Sequence, residues 1–321
     1  MSDLVTLTEI ERAAERLAGV TVRTPLVPFP GDPGGPALLV KAESLQPIGA
    51  FKLRGAHTAI VRLPEAERAR GVVTHSSGNH AQAVAFSARA LGIKAVLVMP
   101  HNTPSVKVDA CVALGAEIVY VEPQSAAREQ TARKLAAAHG FTLIQPYDDP
   151  HVIAGQGTCG LEIVQDRPDA DVVLVPVSGG GLLAGVAAAV KALRPDAKVF
   201  GVEPELAADA RDSFHAGHPV GWDADETGRT IADALRVQRV GDLPFAHMRE
   251  HVDGIVTVTE DEIRRAMRRL AREARLIAEP GGAVATAAYL YHRGELPAAR
   301  TYVSILSGGN VDPALFHEVY G

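Results

Sequence analysis

Gly49-Ala-Phe-Lys-Leu-Arg-Gly55 sets one lysine between an aromatic ring and an arginine, inside glycine boundaries. Three further motifs follow at long intervals: Ser76-Ser-Gly-Asn-His80, Ser178-Gly-Gly-Gly181 and Ser307-Gly-Gly-Asn310. In order they offer an amine, a polar loop, a glycine-rich turn and a late Ser/Gly/Asn turn. From local sequence alone Lys52 reads as an exposed helix lysine, and Lys41, Lys94, Lys107, Lys134, Lys191 and Lys198 have similar claims by composition. An apolar wall such as Phe51 suits an imine-forming lysine, but composition alone does not choose among them. Desolvation lowers an ammonium pKa, so part of the population is neutral and nucleophilic.

The glycine loop follows the apolar run Val172-Val-Leu-Val175 and opens a helix expected over 182–193. Glycines there let backbone N–H groups converge on an anion, and the helix N-terminus adds positive potential. No lysine or threonine follows as in a nucleotide phosphate loop, and the spacing is not a dinucleotide fingerprint. A monophosphate suits it better; a tight turn without ligand is the other reading. Ser76–His80 lies between an expected strand and helix, where hydroxyls and N–H groups can hold a carboxylate or simply cap the helix. Ser307 ends a strand expected over 302–306, the place where α/β ligands bind, unless it is only a turn serine. An imine-forming lysine with a phosphate cradle is what an aldehyde-bearing phosphate cofactor requires.

In this order the motifs resemble those of the fold-type II pyridoxal-phosphate enzymes, in particular the serine racemase and serine/threonine dehydratase branch, from about Thr24 to Asp312. The resemblance implies a tryptophan synthase β-like α/β fold: two open parallel-sheet lobes with pyridoxal 5'-phosphate between them. Gly-Ala-Phe-Lys-Leu-Arg-Gly-Ala is similar to the family's Ser-Phe-Lys-x-Arg-Gly-Ala, with Ala50 in place of serine. Lys52 then falls on the imine lysine and Phe51 on the residue against the cofactor ring. Ser178, Gly179, Gly180, Gly181 and Leu182 fall on the phosphate cradle, Asn79 on the partner of the ring hydroxyl and Ser307 on that of the pyridine nitrogen. The loop of Ser76, Ser77, Gly78, Asn79 and His80 is the family's substrate-carboxylate loop, with His80 structural, and Arg128 matches an arginine near the substrate entrance.

The same resemblance makes Ser77 the most discriminating position. Racemases and hydroxyaspartate dehydratases read Ser-Ser-Gly-Asn-His, as here, where biosynthetic threonine dehydratases usually read Ser-Ala-Gly-Asn-His. Lys52 would serve one face of the Cα carbanion and Ser77 the other. Glu203, Ala207 and Asp209 align with a divalent-cation site of two carboxylates and one carbonyl, ligands that suit Mg²⁺ or Ca²⁺. Two departures stand out. Pro47 and Ile48 replace the Lys-Thr that mammalian racemases use for ATP, so nucleotide activation is not expected. Ile231-Ala-Asp-Ala234 replaces the family's Ile-Ala-Asp-Gly and adds a methyl near the cofactor.

Bulk properties agree with an enzyme of this kind. The 321 residues are 47% hydrophobic and 22% charged, with a net charge of −6. The densest basic run, 264–272, sits among Asp261, Glu262 and Glu273 and reads as a solvated helix face, which argues against nucleic acid as a partner. Cys111 and Cys159 have no metal or redox spacing and read as reduced thiols. The most apolar stretch, 179–190, is shorter than the roughly 18 residues of a membrane span, and the N-terminus lacks a signal-peptide pattern. A cytoplasmic homodimer acting on an amino acid is expected.

Along the chain, Thr8-Glu-Ile-Glu11 has the form of a capping box that starts a helix ending by Gly19, and 25–36 reads as a Pro/Gly-rich connection. From Gly71 strand and helix signals alternate. A small substrate-gating domain is expected at 71–148, with 1–70 and 149–321 forming a large cofactor-binding domain. The expected reaction is β-elimination from L-serine or L-threonine to a 2-oxo acid and ammonia, with Lys52 taking the Cα proton. Serine racemase and threo-3-hydroxyaspartate dehydratase are the alternatives. A protein that merely binds the cofactor has no need of the Ser77 loop or the acidic set.

Overall fold

The computed structural model describes residues 4–30, 34–76, 78–103, 105–122 and 125–321. Its first half runs α1 (Leu7–Leu17), β1 (Leu26–Phe29), β2 (Ala37–Ala42), α2 (Lys52–Val61), α3 (Glu65–Arg68), β3 (Val72–His75), α4 (Asn79–Ala90), β4 (Ala95–Pro100), α5 (Ser105–Ala113), β5 (Glu117–Val121), α6 (Ser125–His139), β6 (Thr142–Leu143) and α7 (Pro150–Asp166). The second half runs β7 (Val172–Pro176), α8 (Gly181–Leu193), β8 (Lys198–Pro204), α9 (Asp209–Ala216), α10 (Ala224–Thr227), α11 (Asp242–His251), β9 (Gly254–Val258), α12 (Glu260–Arg269), α13 (Pro280–Tyr291), β10 (Thr301–Leu306) and α14 (Pro313–Tyr320). Six strands pair in the order β1-β2-β10-β7-β8-β9 and four in the order β5-β4-β3-β6. The β1–β2 edge is antiparallel, and the other described pairings are parallel.

Alternation along the strands explains why both faces carry helices. Leu38, Val40, Val172, Leu174, Tyr302 and Leu306 point into one core with α12 and α13, among them Ile263, Met267 and Val284. Their neighbours Leu39, Val173, Val175, Val303 and Ile305 point the other way, onto Leu183, Val186 and Val190 of α8. A strand covered on both sides has to be apolar at every position, hence the unbroken Val-Val-Leu-Val run. The smaller sheet splits the same way: Val72, Leu97 and Met99 meet α2 and α4, and Val73, Val96 and Val98 meet α6.

Two expectations need correction. The first helix starts two residues earlier than expected, because Thr6, not Thr8, makes the capping box with Glu9. Both registers fit the box, but only this one sets Val5 before the cap and Ile10 at the fourth helical position, and both are buried in one cluster. That apolar staple adds to a cap typically worth about 1 kcal/mol. Residues 25–36 are also more than a connection. Leu26–Phe29 forms the antiparallel edge strand β1, tolerated there because Pro28 needs no ladder N–H at an edge.

Candidate active site

The first and last motifs are zipped together by backbone. Ala50 and Gly308 form an antiparallel bridge, Phe51 N donates to Ser307 O at 2.9 Å, and Gly309 N donates to Gly49 O at 2.9 Å. Gly49 has φ 73°, and a methyl there would fall 2.5 Å from Asn310 Oδ1. Glycine is required on both counts. This clamp ends where α2 begins, so Lys52 stands at the first helical position.

The Lys52 amine is enclosed. Nζ donates to Pro146 O at 2.7 Å and lies 5.2 Å from the Phe51 ring centroid. Burial pushes its pKa down to about 8, and no carboxylate partners it to offset that. Desolvation is therefore the operative cause, as the neighbouring ring suggested.

The same segment that receives Lys52 also packs on the glycine loop. A methyl on Gly179 would fall 2.4 Å from the Tyr147 ring, and one on Gly181 would fall 3.0 Å from Tyr147 Cα. Gly180 has φ 90°, and a methyl there would strike Pro244 at 2.8 Å and Val240 at 2.9 Å. Side chains are thus excluded on three consecutive residues. What remains is bare backbone at the start of α8, whose first N–H groups have no intrahelical acceptor. Ser178 sits two residues beyond β7 and its Oγ accepts from Val237 N at 3.3 Å; Leu182 is buried behind the loop.

The polar loop joins from the smaller sheet. Ser76 follows β3, and its Oγ accepts from Gly78 N at 3.3 Å. Ser77 lies outside the described residues. Asn79 opens α4 and reaches across to the other sheet: its Nδ2 donates to Glu279 Oε1 at 2.7 Å, while its Oδ1 accepts from Asn310 Nδ2 at 2.8 Å. Asn310 also donates to Ile48 O at 2.8 Å, which fixes its amide and in turn that of Asn79. His80 is buried, with Nε2 3.2 Å from Ile144 O, and burial followed by the Lys52 charge lowers its pKa to about 3. It is a neutral structural ring. Ser307 is buried at the end of β10, its Oγ donating weakly to Gly281 O at 3.5 Å. Ala234 lies where a methyl on Gly281 would meet it at 3.4 Å, at the head of α13.

Lys52, the glycine loop, Asn79 and Ser307 are therefore drawn together, and Glu203, Ala207 and Asp209 form a second buried group near enough for the Asp209 charge to act on Tyr147 beneath the glycine loop. Glu203, on β8, accepts from Ala210 N at 3.1 Å and Arg211 N at 2.8 Å. No side chain among the described residues bonds the Asp209 carboxylate; its own N–H and that of Val240 lie close enough to lower its pKa, short of good hydrogen-bond geometry. Burial pushes Asp209 up to about 7, and burial with the Asp209 charge beside it pushes Glu203 well above the usual carboxylate range. No cluster of three or more His, Cys, Asp or Glu side chains suited to a metal occurs among the described residues, so any cation here would need the Ala207 carbonyl. Arg128, on α6, has a buried Nε without a partner, close enough to His75 to depress its pKa after burial has done so.

Sequence reasoning missed Pro146, Tyr147 and Glu279. The first contributes a carbonyl and the second a ring, neither of which has a local pattern. Glu279 is buried, its pKa raised by burial to about 8, and it was hidden in Glu-Pro-Gly-Gly, which reads as a helix start and is one.

Comparison with known proteins agrees with this arrangement. The sequence model of the family described as "Pyridoxal-phosphate dependent enzyme" matches residues 17–308. An L-threo-3-hydroxyaspartate ammonia-lyase of Saccharomyces cerevisiae is 42% identical over 302 residues, 94% of this chain and 91% of that one. A serine racemase of Schizosaccharomyces pombe is 38% identical over 322 residues, covering 97% of each. The crystal structure of a T.th. threonine deaminase superposes with a TM-score of 0.90 at 44% identity, over 96% of this chain and 99% of that one. The fold is that of the fold-type II enzymes, and the chain belongs to the pyridoxal-phosphate dependent enzyme family.

Proposed function

We propose that this chain is an ammonia-lyase that converts L-serine or L-threonine to a 2-oxo acid and ammonia by β-elimination. The observation that carries the reading is the enclosed Lys52 amine, with its pKa near 8, beside a side-chain-free helix start. At pH 7 roughly a tenth of such an amine is neutral, against less than about a thousandth of an ordinary lysine. The residues fit pyridoxal phosphate: an amine for its aldehyde, three glycines for its phosphate and a buried hydroxyl for its ring nitrogen.

Bound pyridoxal phosphate supplies the electron sink that makes the Cα proton of an amino acid removable. Lys52 holds the group through its amine and, once released from it, holds the Cα proton at Nζ. The N–H groups of Gly179, Gly180, Gly181 and Leu182, with the Ser178 hydroxyl, bind the phosphate. Phe51 would lie against the cofactor's ring, Asn79 would hold its ring hydroxyl and Ser307 its nitrogen. A serine there does not enforce a positive ring, which favours loss of a β-hydroxyl over transamination. Ser76, Ser77, Gly78 and Asn79 take the substrate carboxylate, with His80 packed behind them.

Glu203, Asp209 and the Ala207 carbonyl receive Mg²⁺ or Ca²⁺ in this reading. The buried Asp209 carboxylate supports it, because among the described residues only backbone N–H groups approach it, and a buried carboxylate without a cation is costly. Residues 71–148 serve as the substrate-gating domain against 1–70 and 149–321, a division supported by the separate four-stranded and six-stranded sheets. A second substrate, threo-3-hydroxyaspartate, is favoured by Arg128, whose unpartnered Nε suits a second carboxylate. Keto-acid release from L- and D-serine, L-threonine and L-threo-3-hydroxyaspartate, with chiral analysis of residual substrate, tests the reading. Turnover of none of them by cofactor-loaded protein would reject it.

A further inference from the structure

Lys52 and Arg54 lie two residues apart in the first turn of α2 and so point about 200° apart around its axis. Lys52 faces Pro146, while Arg54 faces a buried polar cluster on the other side. Arg54 Nε and Nη2 donate to the two oxygens of Glu43 at 2.7 and 2.8 Å, and Nη1 and Nη2 donate to those of Glu162 at 2.7 and 2.8 Å. Thr158 Oγ1 accepts a further bond from Nη1 at 3.0 Å. Lys41 Nζ donates to Glu162 Oε2 at 2.6 Å and to Thr24 O at 2.7 Å. Arg54 is 1% exposed, and Lys41 and Glu43 are fully buried. Two cations face two anions, so the cluster leaves no net charge behind the lysine.

Stability alone gives little reason for such a cluster, because well-packed apolar residues of similar volume usually serve as well. Its placement gives a better one. Leu53, Ala56, Ala59 and Ile60, on the opposite side of α2, pack into the core of the four-stranded sheet. Glu43 follows β2 and Glu162 stands on α7, whose partner helix α8 carries the glycine loop. The helix is therefore shared between the two sheets, and Arg54 is its tie to the one that bears the glycine loop and Ser307. We propose that Arg54 is a positioning residue: its double fork to Glu43 and Glu162 fixes the rotation of α2 and holds the Lys52 amine in register with the glycine loop and Ser307. A rotation of about 20° moves an atom roughly 6 Å from the axis by about 2 Å. Misplacement by about 1 Å can cost about 10²-fold in rate. Lysine cannot replace the arginine, because one ammonium cannot face two carboxylates as parallel pairs.

The inference rests on Lys52 being the cofactor lysine. Arg54→Lys, Glu162→Gln and Lys41→Met are compared as holoenzymes by thermal midpoint, by the pH midpoint of the visible band of lysine-bound cofactor, and by kcat and KM on the best substrate. Arg54→Lys is expected to lower kcat about ten- to hundredfold with KM within about threefold, and to move the band's pH midpoint by about half a unit or more. Glu162→Gln moves both in the same direction by less, and it decides alone if Arg54→Lys yields no folded protein. Lys41→Met removes a buried cation that does not touch α2, so it lowers the thermal midpoint and leaves kcat within about threefold, while the anion it unbalances raises the band's pH midpoint without a matching loss of kcat. If kcat and the band stay unmoved in Arg54→Lys and Glu162→Gln, or merely track thermal midpoint across all three variants, the cluster is structural and the inference falls. Borohydride reduction and peptide mapping of the wild type separate the two failures. Cofactor on another lysine overturns the Lys52 reading, whereas cofactor on Lys52 with an unmoved Arg54→Lys overturns the positioning role alone.

Discussion

The two sheets differ in how completely they are closed. The larger sheet has two strands buried along their whole length, β7 and β10, against β4 alone in the smaller one, whose edge strands β5 and β6 carry only exposed and half-buried residues. Buried charge follows the same division. Lys41, Glu43, Glu203, Asp209 and Glu279 all belong to the six-stranded side, while Ser76 and Arg128 on the other side are only half-buried. Low dielectric amplifies both attraction and desolvation cost. Groups that must keep one geometry and a shifted pKa gain from that setting. Groups that meet a substrate passing in and out need access to water instead. Lys52 sits on the element the two sheets share, which is why its environment decides the chemistry.

Breaking the comparison at that element gives the largest effect. Lys52→Ala removes the only amine that donates to Pro146 O among the described residues, together with the base that the reading requires. Turnover should fall by about 10⁴-fold or more, the top of the range for one acid–base group, and the visible band of lysine-bound cofactor should vanish. Phosphate binding by the glycine loop should survive. A variant that keeps the band would show that another lysine carries the group.

How much of this was legible in the sequence depends on whether a signal was local. α8 and β10 match the expected 182–193 and 302–306 to within one residue, because each is an apolar run between clear stops. The α7 helix was not read, since Gly155, Gly157 and Gly160 interrupt it and each lowers helix propensity. The structure gives their reason: a methyl on Gly155 would fall 2.4 Å from Arg54 O, and one on Gly160 would fall 2.8 Å from Val186 O. Those contacts are between helices far apart in sequence, so no local pattern announces them. The site divides likewise. Four motifs were readable because each packs its chemistry into a few contiguous residues, while Pro146 and Glu279 act through a carbonyl and a carboxylate brought from afar.

Ser77→Ala sharpens the comparison on the less closed side. A methyl cannot give or take a proton, yet it leaves Lys52 and the glycine loop untouched. Activity on D-serine, and any racemisation, should fall by about 10²–10⁴-fold, while L-serine dehydration stays within about tenfold. Equal loss on both enantiomers would reduce Ser77 to holding its loop.

A smaller effect comes from pH. Only the neutral Lys52 amine attacks an aldehyde, and its pKa is lowered to about 8 by burial. The rate at which cofactor-free protein recovers the visible band should therefore rise about tenfold per pH unit from pH 6 towards 8 and level off above it. A rise continuing past pH 10 would mean an ordinary solvated lysine. The plateau position is thus a direct reading of how closed the shared element is.

Removing divalent cations should have the smallest effect, and it probes the closed sheet away from Lys52. Glu203 accepts two good backbone hydrogen bonds, whereas Asp209 is approached only by the Val240 N–H and its own. Without a cation, burial works against both carboxylates, with the Asp209 charge added for Glu203 and the Asp212 charge for Asp209, as their raised pKa values indicate. A cation present at about a hundred times its Kd stabilises the folded form by about 2.7 kcal/mol. At about 1.5 °C per kcal/mol for a chain of 321 residues, a chelator should lower the thermal midpoint by roughly 4 °C, and added Mg²⁺ or Ca²⁺ should restore it. Glu203→Ala should start from a lower midpoint and ignore the chelator, because Asp209 and one carbonyl cannot hold the ion alone. If wild type and Glu203→Ala shift by the same amount, the cation binds elsewhere, and the charges buried under the larger sheet are held by protons instead.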